Sequence, residues 1–200
     1  MSARLAREMS ISHLAEIADQ LRQVTVEIRT PGDRGVGAGI LWAPDLVVTN
    51  AHVAGASCVG VEFADDRRVE ARLVVADRRA DVALFRIPRC GVAPAALADS
   101  DALRVGALVV ALGHPLGFRR TLTAGIVHAL GPVRPGGRRF IHADVRLAPG
   151  NSGGPLADSA GNVVGINTMI AGGLALAIPI NDVRRFVASA AASEAAASAT

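Results

Sequence analysis

The chain has 200 residues, of which half are hydrophobic and only 3% are aromatic, so a sizeable core has to be built from valine, leucine, isoleucine and alanine. Its formal net charge is +3, and its 21 basic residues are all arginines, scattered among 18 acids. They show neither the clustering nor the interleaved aromatic residues of a nucleic-acid groove, so we do not expect nucleic acid as a partner. Cys58 and Cys90 are too few for a disulfide scaffold, and the sequence leaves open whether they are free thiols or one bridge.

The first predicted element is an amphipathic helix over residues 1–23. Its apolar residues recur at three- and four-residue spacing, with charges between them, at Ile11, Leu14, Ala18 and Leu21. Such a helix buries one stripe, either on its own domain or in an oligomeric or regulatory contact. The segment contains no apolar signal-peptide core, and no run is long enough to span a bilayer. We therefore expect a cytoplasmic protein without a membrane partner.

Short β-rich runs follow, separated by glycine, proline and aspartate, as is typical of a β-barrel or sandwich. The first six predicted strands cover residues 24–29, 37–42, 46–49, 58–63, 70–76 and 82–87. The second six cover residues 108–112, 122–130, 140–143, 155–158, 163–169 and 174–178. Beyond Pro179, Asn181 or Asp182 is placed to cap a short final helix. The Ala/Ser-rich tail at 188–200 has no face to bury, which predicts fraying or a linker.

Two separate motifs carry chemistry. Residues 150–156, Gly-Asn-Ser-Gly-Gly-Pro-Leu, place Ser152 in a glycine-rich turn, and residues 49–53, Thr-Asn-Ala-His-Val, contain His52. A serine hydroxyl is a poor nucleophile at neutral pH, so it needs a base to take its proton and a third group to hold that base. His52 is the candidate base, and Asp81, which opens an apolar strand, is the candidate third group. No histidine follows Ser152, which excludes the chain order of the α/β-hydrolase triad.

The order histidine, aspartate, serine is that of chymotrypsin-like β-barrels, and the chain resembles a trypsin-like serine protease of the HtrA/Deg type over residues 24–187. Further motifs that carry the resemblance lie at residues 35–39, 97–101, 103–106, 113–117, 123–127 and 165–168. The resemblance implies an all-β fold of two six-stranded antiparallel β-barrels, at about 24–90 and 103–180, with an N-terminal and a short C-terminal helix. We expect this protease domain without a PDZ domain.

By this resemblance, His52 and Asp81 come from the first barrel and Ser152 from the second. The backbone N–H groups of Gly150 and Ser152 are expected to form the oxyanion hole, because glycine tolerates the dihedral angles that such a turn requires. Three further histidines are interpreted as polar replacements rather than second bases: His114, His128 and His142.

The substrate pocket is inferred from residues near the nucleophile. Leu147 is expected at the base of the pocket for the side chain preceding the cut bond, where it would favour small or medium aliphatic side chains. Asn167, Thr168 and Met169 are expected to form the strand edge to which an extended peptide adds. Arg146 is expected to point to solvent.

The sequence therefore predicts a serine endopeptidase that hydrolyses peptide bonds of unfolded or flexible proteins through an acyl-enzyme, in protein quality control or regulatory proteolysis. No metal ion or organic cofactor is expected. The expected partners are protein or peptide substrates and, by resemblance, other copies of the chain in a trimer. The alternative is a latent or inactive protease-fold module that acts in protein binding or chaperoning.

Overall fold

The computed structural model describes residues 11–30, 36–114 and 121–198, which form three helices and twelve strands. The helices are α1 (Ile11–Val24), α2 (Ala51–Ala54) and α3 (Ile180–Ser198). The strands are β1 (Thr25–Arg29), β2 (Val36–Ala43), β3 (Leu46–Thr49), β4 (Cys58–Glu62), β5 (Arg68–Asp77), β6 (Val82–Arg86), β7 (Leu108–Gly113), β8 (Thr121–Pro132), β9 (Arg139–Ala143), β10 (Pro155–Asp158), β11 (Val163–Ala171) and β12 (Leu174–Pro179). The motifs at 35–39 and 113–117 lie partly outside the described residues, as does the start of the predicted first helix.

The strands form two closed barrels of six. The first barrel has the strand order β1-β2-β3-β6-β5-β4, and the second has the order β10-β11-β12-β9-β8-β7. Neighbouring strands within each barrel are antiparallel. The predicted all-β fold of two six-stranded antiparallel barrels is confirmed.

The two barrels share a hydrophobic core, which we call the junction core. It contains buried residues of the first barrel, such as Phe85, together with Val110, Leu112 and Ile166 of the second barrel. Side chains of β7 alternate between two environments, because successive residues of a strand point to opposite faces. Val110 and Leu112 belong to the junction core, whereas Val109 belongs to a separate core inside the second barrel.

Helix α1 packs across the junction between the barrels. The apolar stripe includes Ala18 and Leu21, which are 5% and 1% exposed, and the helix contacts both β1 and β7. Nε2 of His13 lies 2.9 Å from the carbonyl oxygen of Ser159, in the turn after β10. The predicted stripe is therefore buried on its own chain.

Helix α3 continues to Ser198 and includes most of the Ala/Ser-rich segment for which fraying or a linker was expected. Alanine has the highest helix propensity of all residues, so a helix that is already docked continues through such a segment. The docked part buries Ile180 and Val183. Farther along, Glu194 pairs with Arg86 of β6 at 2.8 Å.

Two remaining features concern the cysteines and the membrane. Cys58 is half-buried on β4, Cys90 is buried after β6, and both are free thiols.

Among the described helices, none combines the length and hydropathy needed to cross a bilayer.

Candidate active site

Strand pairing in the first barrel brings His52 and Asp81 together. Thr49, at the end of β3, faces Ala83 on β6, so the residues just beyond these two strand ends are neighbours. The short helix α2 then carries His52, while Asp81 lies immediately before β6. Asn50 fixes this corner, because its Nδ2 donates to the carbonyl oxygen of Asp81 at 3.0 Å.

Asp81 is held by four polar contacts. Nδ1 of His52 lies 3.0 Å from each carboxylate oxygen, and the backbone N–H of His52 donates to Oδ1 at 3.1 Å. Oγ1 of Thr168, on the second barrel, donates to Oδ2 at 2.6 Å. The side chain of Asp81 is 16% exposed and that of His52 is 50% exposed. The carboxylate is thus enclosed, while the imidazole faces the cleft.

Two opposing effects act on the pKa of Asp81. Burial raises the pKa, since a carboxylate loses solvation, but the hydrogen bonds from His52 and Thr168 and the charge of His52 lower it by more. The net result is a pKa below the ordinary value of 3.8, so Asp81 stays ionised at neutral pH. An ionised carboxylate at this position fixes the orientation of the imidazole and stabilises its protonated form.

Ser152 lies in the turn before β10 and is anchored to both barrels. Its carbonyl oxygen accepts a hydrogen bond from the N–H of Ala38 on β2 at 2.8 Å. Its hydroxyl donates to the carbonyl oxygen of Thr168 at 3.0 Å. Within the described residues no hydrogen bond joins the Ser152 hydroxyl to His52. Thr168 therefore connects the three predicted triad residues, since its carbonyl binds Ser152 and its hydroxyl binds Asp81.

The turn around Ser152 leaves two backbone donors open. Gly150 has φ of 105°, in the region that favours glycine, and its carbonyl oxygen accepts from the N–H of His114 at 3.1 Å. The turn is closed by the N–H of Asn151, which donates to the carbonyl oxygen of Ala148 at 3.0 Å. In the described part of the chain, no hydrogen bond uses the N–H of Gly150 or of Ser152. These two groups are available to an anionic oxygen.

A pocket of about 290 Å³ opens beside Ser152. Three of the four residues predicted for the substrate pocket line it, namely Leu147, Thr168 and Met169. Asn167 is not among them: it is fully buried, and its Nδ2 donates to the carbonyl oxygen of Pro155 at 2.8 Å. A β-bulge lies between the buried Asn167 and Met169, which lines the pocket.

The other histidines lie away from the Asp81 carboxylate. His114 is buried, with Nδ1 3.7 Å from an oxygen of Glu27. Nε2 of His142 is 3.0 Å from the carbonyl oxygen of Gly131, and His128 is exposed on β8. Arg146 is exposed, as predicted. Among the described residues, no three His, Cys, Asp or Glu side chains are grouped closely enough to hold a metal ion.

The sequence reasoning missed the role of the Thr168 hydroxyl, which it placed only on the peptide-binding edge. It also missed the contact between Ala38 and Ser152. The glycine-rich string at residues 35–39 was noted, and a strand with so few side-chain atoms is a signal that another backbone approaches closely.

The chain is similar in sequence to known proteases. The model of the trypsin-like peptidase domain matches residues 37–166. A protein of Ectopseudomonas mendocina named as a probable periplasmic serine endoprotease, DegP-like, is 43% identical over 167 residues, covering 76% of this chain and 35% of the relative. A putative serine protease HhoB of Synechocystis is 40% identical over 161 residues, covering 75% of this chain and 39% of the relative. The chain thus spans little more than a third of the length of these relatives.

Solved structures give the same result. The HtrA-type protease AlgW with a tripeptide superposes with a TM-score of 0.82 at 32% identity, covering 88% of this chain and 62% of that one. The same protease with a decapeptide gives a TM-score of 0.80 at 28% identity, covering 88% of this chain and 66% of that one.

The expected cytoplasmic location is wrong, because several relatives at 41 to 43% identity are named as periplasmic. That expectation rested on the composition of residues 1–23 and on the lack of a long apolar run. The fold of the barrels does not indicate the compartment, since an aliphatic core has the same chemistry in the cytoplasm and in the periplasm.

Proposed function

The chain belongs to the trypsin-like, HtrA/DegP family of serine endoproteases. From this premise we propose that it cleaves peptide bonds with Ser152 as the nucleophile. In the proposed site His52 is the general base, and Asp81 orients that base. The observation that carries the proposal is the set of contacts through Thr168, which ties the serine of the second barrel to the aspartate and histidine of the first.

The proposed reaction has two halves. Oγ of Ser152 bonds to the carbonyl carbon of the substrate while its proton passes to Nε2 of His52. The N–H groups of Gly150 and Ser152 stabilise the resulting oxyanion. The C–N bond then breaks as His52 gives its proton to the leaving amine, which leaves an acyl-enzyme. Water then attacks the ester carbon as its proton passes to His52. The bond between this carbon and Oγ of Ser152 breaks as His52 returns the proton to Oγ, which releases the acid and restores the free serine.

The first half requires one local movement. The hydroxyl of Ser152 is bound to the carbonyl oxygen of Thr168, so it has to rotate about the Cα–Cβ bond before its proton can reach His52. Rotamer changes of small, partly exposed side chains take picoseconds to nanoseconds, which is far faster than typical turnover. The contact with Thr168 therefore defines a resting position and does not block the reaction.

The substrate class follows from the edge of β11 next to Ser152. Strand β10 and the turn before it bind β11 through backbone hydrogen bonds as far as Asn167. Beyond that residue, β11 has β12 on one side and an open edge on the other within the described residues. Met169 and Ile170 are 47% and 54% exposed at this edge. An extended peptide can add there as a further strand, which requires an unfolded or flexible substrate. The peptide complexes of the AlgW protease support this substrate class.

We place this activity in protein quality control or regulatory proteolysis, in the periplasm that is named for the relatives. A second candidate function, a latent protease that needs an effector, is favoured by one observation. The described residues contain no hydrogen bond between Ser152 and His52, which is the arrangement expected of a site that an effector has to rearrange before the serine reaches its base.

A fluorophosphonate probe, which reacts only with an activated serine, tests the proposal. Prompt labelling of the isolated chain, lost in Ser152→Ala, supports the active enzyme, and Ser152→Ala should lower kcat on a casein or peptide substrate about a million-fold. Ser159→Ala, an exposed serine in the turn after β10, is the matched control and should label normally. Labelling that persists in Ser152→Ala would show that another residue is the nucleophile, and labelling only after addition of a peptide effector would favour latency.

A further inference from the structure

A second and larger pocket lies beside the proposed catalytic residues, and the proposed mechanism does not use it. It has a volume of about 560 Å³ and opens next to His52 and Asp81. Its apolar lining consists of small side chains and one leucine, and its polar lining includes a single arginine: Ala51, Ala54, Ala56, Leu73, Ala76 and Arg78. A pocket of this size, with an apolar wall and few polar groups, is suited to bind a specific side chain.

Arg78 is the charged group of this pocket. It lies in the turn that follows β5 and is exposed. In the part of the chain that the structure describes, its side chain makes no ion pair or hydrogen bond. The neighbouring acids are already engaged: Oδ1 of Asp77 accepts the backbone N–H groups of Arg79 and Ala80 at 2.7 and 2.9 Å, and Asp81 is bound to His52 and Thr168. The positive charge at the pocket is therefore not neutralised by either adjacent carboxylate.

Two arginines on strands of the same barrel differ from Arg78 in this respect. Arg68 pairs with Glu62 at 2.7 Å, and Arg86 pairs with Glu194 at 2.8 Å. An arginine that has no acidic partner and lines a pocket beside the reacting groups is available for a carboxylate from outside the chain. The planar guanidinium binds a carboxylate through two parallel hydrogen bonds, a geometry that lysine does not offer.

Ser152 lines the pocket of Leu147, and His52 lines the larger pocket with Arg78. A peptide added to the edge of β11 is extended, so its successive side chains point to opposite sides. When one side chain enters the pocket of Leu147, the preceding residue therefore points toward the pocket of His52 and Arg78. The part of the substrate before the cut bond remains attached as the acyl group, so contacts made there act through both halves of the reaction.

We propose that Arg78 is a specificity-determining residue that selects substrates with a glutamate or aspartate immediately before the residue bound in the Leu147 pocket. The inference rests on the proposed function, since it concerns the substrate of the same site. The methyl groups of Ala54 and Ala76 accommodate the aliphatic stem of the acidic side chain, and the guanidinium binds its carboxylate. A lysine at that position is disfavoured by repulsion from Arg78.

The test uses two peptides that differ only by Glu or Gln at that position, with an aliphatic residue following it. We expect the Glu peptide to have a kcat/KM about fivefold higher than the Gln peptide, the effect of one partly screened charge pair. The ratio should fall toward one in Arg78→Ala and as salt is raised, because screening weakens exposed pairs. In Arg78→Glu a Lys peptide should be preferred over the Glu peptide.

Arg79→Ala is the matched control, because it removes the same charge one residue away from a side chain that does not line the pocket, and it should keep the Glu preference. The affinities of both peptides for Ser152→Ala, measured by fluorescence anisotropy, provide a readout that does not need turnover. Equal values for Glu and Gln in both assays, or a preference that survives Arg78→Ala, would overturn the inference alone. If the unmodified chain cleaves neither peptide but the Glu peptide binds Ser152→Ala more tightly than the Gln peptide, the proposed function fails while the Arg78 contact is supported.

Discussion

Thr168 is a single residue that contacts both Ser152 of the second barrel and Asp81 of the first barrel. Its carbonyl oxygen binds the Ser152 hydroxyl and its own hydroxyl donates to Asp81 at 2.6 Å. The hydroxyl contact also has an electrostatic consequence, because it is one of the interactions that lower the pKa of Asp81 against the effect of burial. Since the folded-state pKa is depressed, the stability that Asp81 contributes is present above pH 3.8 and is lost as the pH falls through the folded-state pKa.

Replacing Thr168 by valine tests this role, because valine has the same shape but no donor. We expect Thr168→Val to raise the pKa of Asp81, since one hydrogen bond to the carboxylate is lost and burial remains. It should also lower kcat about tenfold, the effect of losing one hydrogen bond to a charged group. Titration of the Asp81 carboxyl by NMR and the pH dependence of kcat measure the two effects.

Thr168→Ser is the control for this change, because serine keeps a hydroxyl at the same position and should restore most of both properties. A residue that only filled space would behave differently. In that case, the serine variant, which removes a methyl group, would be impaired more than the valine variant.

At the level of turns and strands, Gly153 is the point where the nucleophile turn rests on the first barrel. Its φ is 86°, and a Cβ at this residue would lie 2.0 Å from the carbonyl oxygen of Ala38 on β2 and 2.2 Å from Oγ1 of Thr49 on β3. Those two atoms are themselves joined, since Thr49 donates to Ala38 at 2.7 Å. No side chain fits without separating the turn from the barrel.

Gly153→Ala should therefore destabilise the protein by about 3 to 4 kcal/mol, a backbone cost of 1 to 2 kcal/mol plus the displacement of β2. Gly106→Ala is a matched control, because its φ is 85° and a Cβ there would meet no atom within 4 Å. It should cost only about 1 to 2 kcal/mol. Urea denaturation measures both, and equal losses in the two variants would show that the contact with the first barrel adds nothing.

Some elements could be predicted from the sequence and others could not, and the difference has physical reasons. Strands such as β3 and β10 have the predicted bounds, because a short apolar run between turn residues is a local signal. Helix α2, which carries His52, has four residues and is too short for any periodicity. The side of β11 to which the Asn167 and Thr168 side chains point depends on a β-bulge. The contact of Thr168 with Asp81 joins residues that are 87 positions apart in the sequence. Neither has a signature in the local sequence.

For the whole molecule, the question is whether the two barrels fold separately. The junction core predicts that they do not, because it joins aliphatic side chains of both barrels in one cluster. Helix α1 contacts β1 and β7, and helix α3 contacts β6 as well as β11 and β12, so these two helices pack on both barrels. The cleft that holds the site lies along the same junction, and its geometry thus depends on the docking of the barrels.

Leu112 tests this coupling, because it is a second-barrel residue, fully buried, whose side chain belongs to the junction core. We expect Leu112→Ala to cost about 2 to 5 kcal/mol, since it leaves a cavity that close-packed neighbours fill only in part. The sequence has a single tryptophan, Trp42, which lies on β2 of the first barrel and reports the unfolding of that barrel. Its fluorescence transition in urea should shift by the same amount as the circular dichroism transition of the whole chain.

Ile126→Ala is the control for a similar loss of volume at a site that is 44% exposed, and it should change the stability by less than about 0.5 kcal/mol. If the barrels folded independently, Leu112→Ala would leave the Trp42 transition in place and split the circular dichroism curve into two steps. A single shifted transition, with the same midpoint in both signals, would instead mean that the barrels unfold together. A substitution that destabilises the junction core would then also destabilise the cleft. Activity should then be lost in the same urea range as the Trp42 signal, because Ser152 reaches His52 only while the two barrels stay docked.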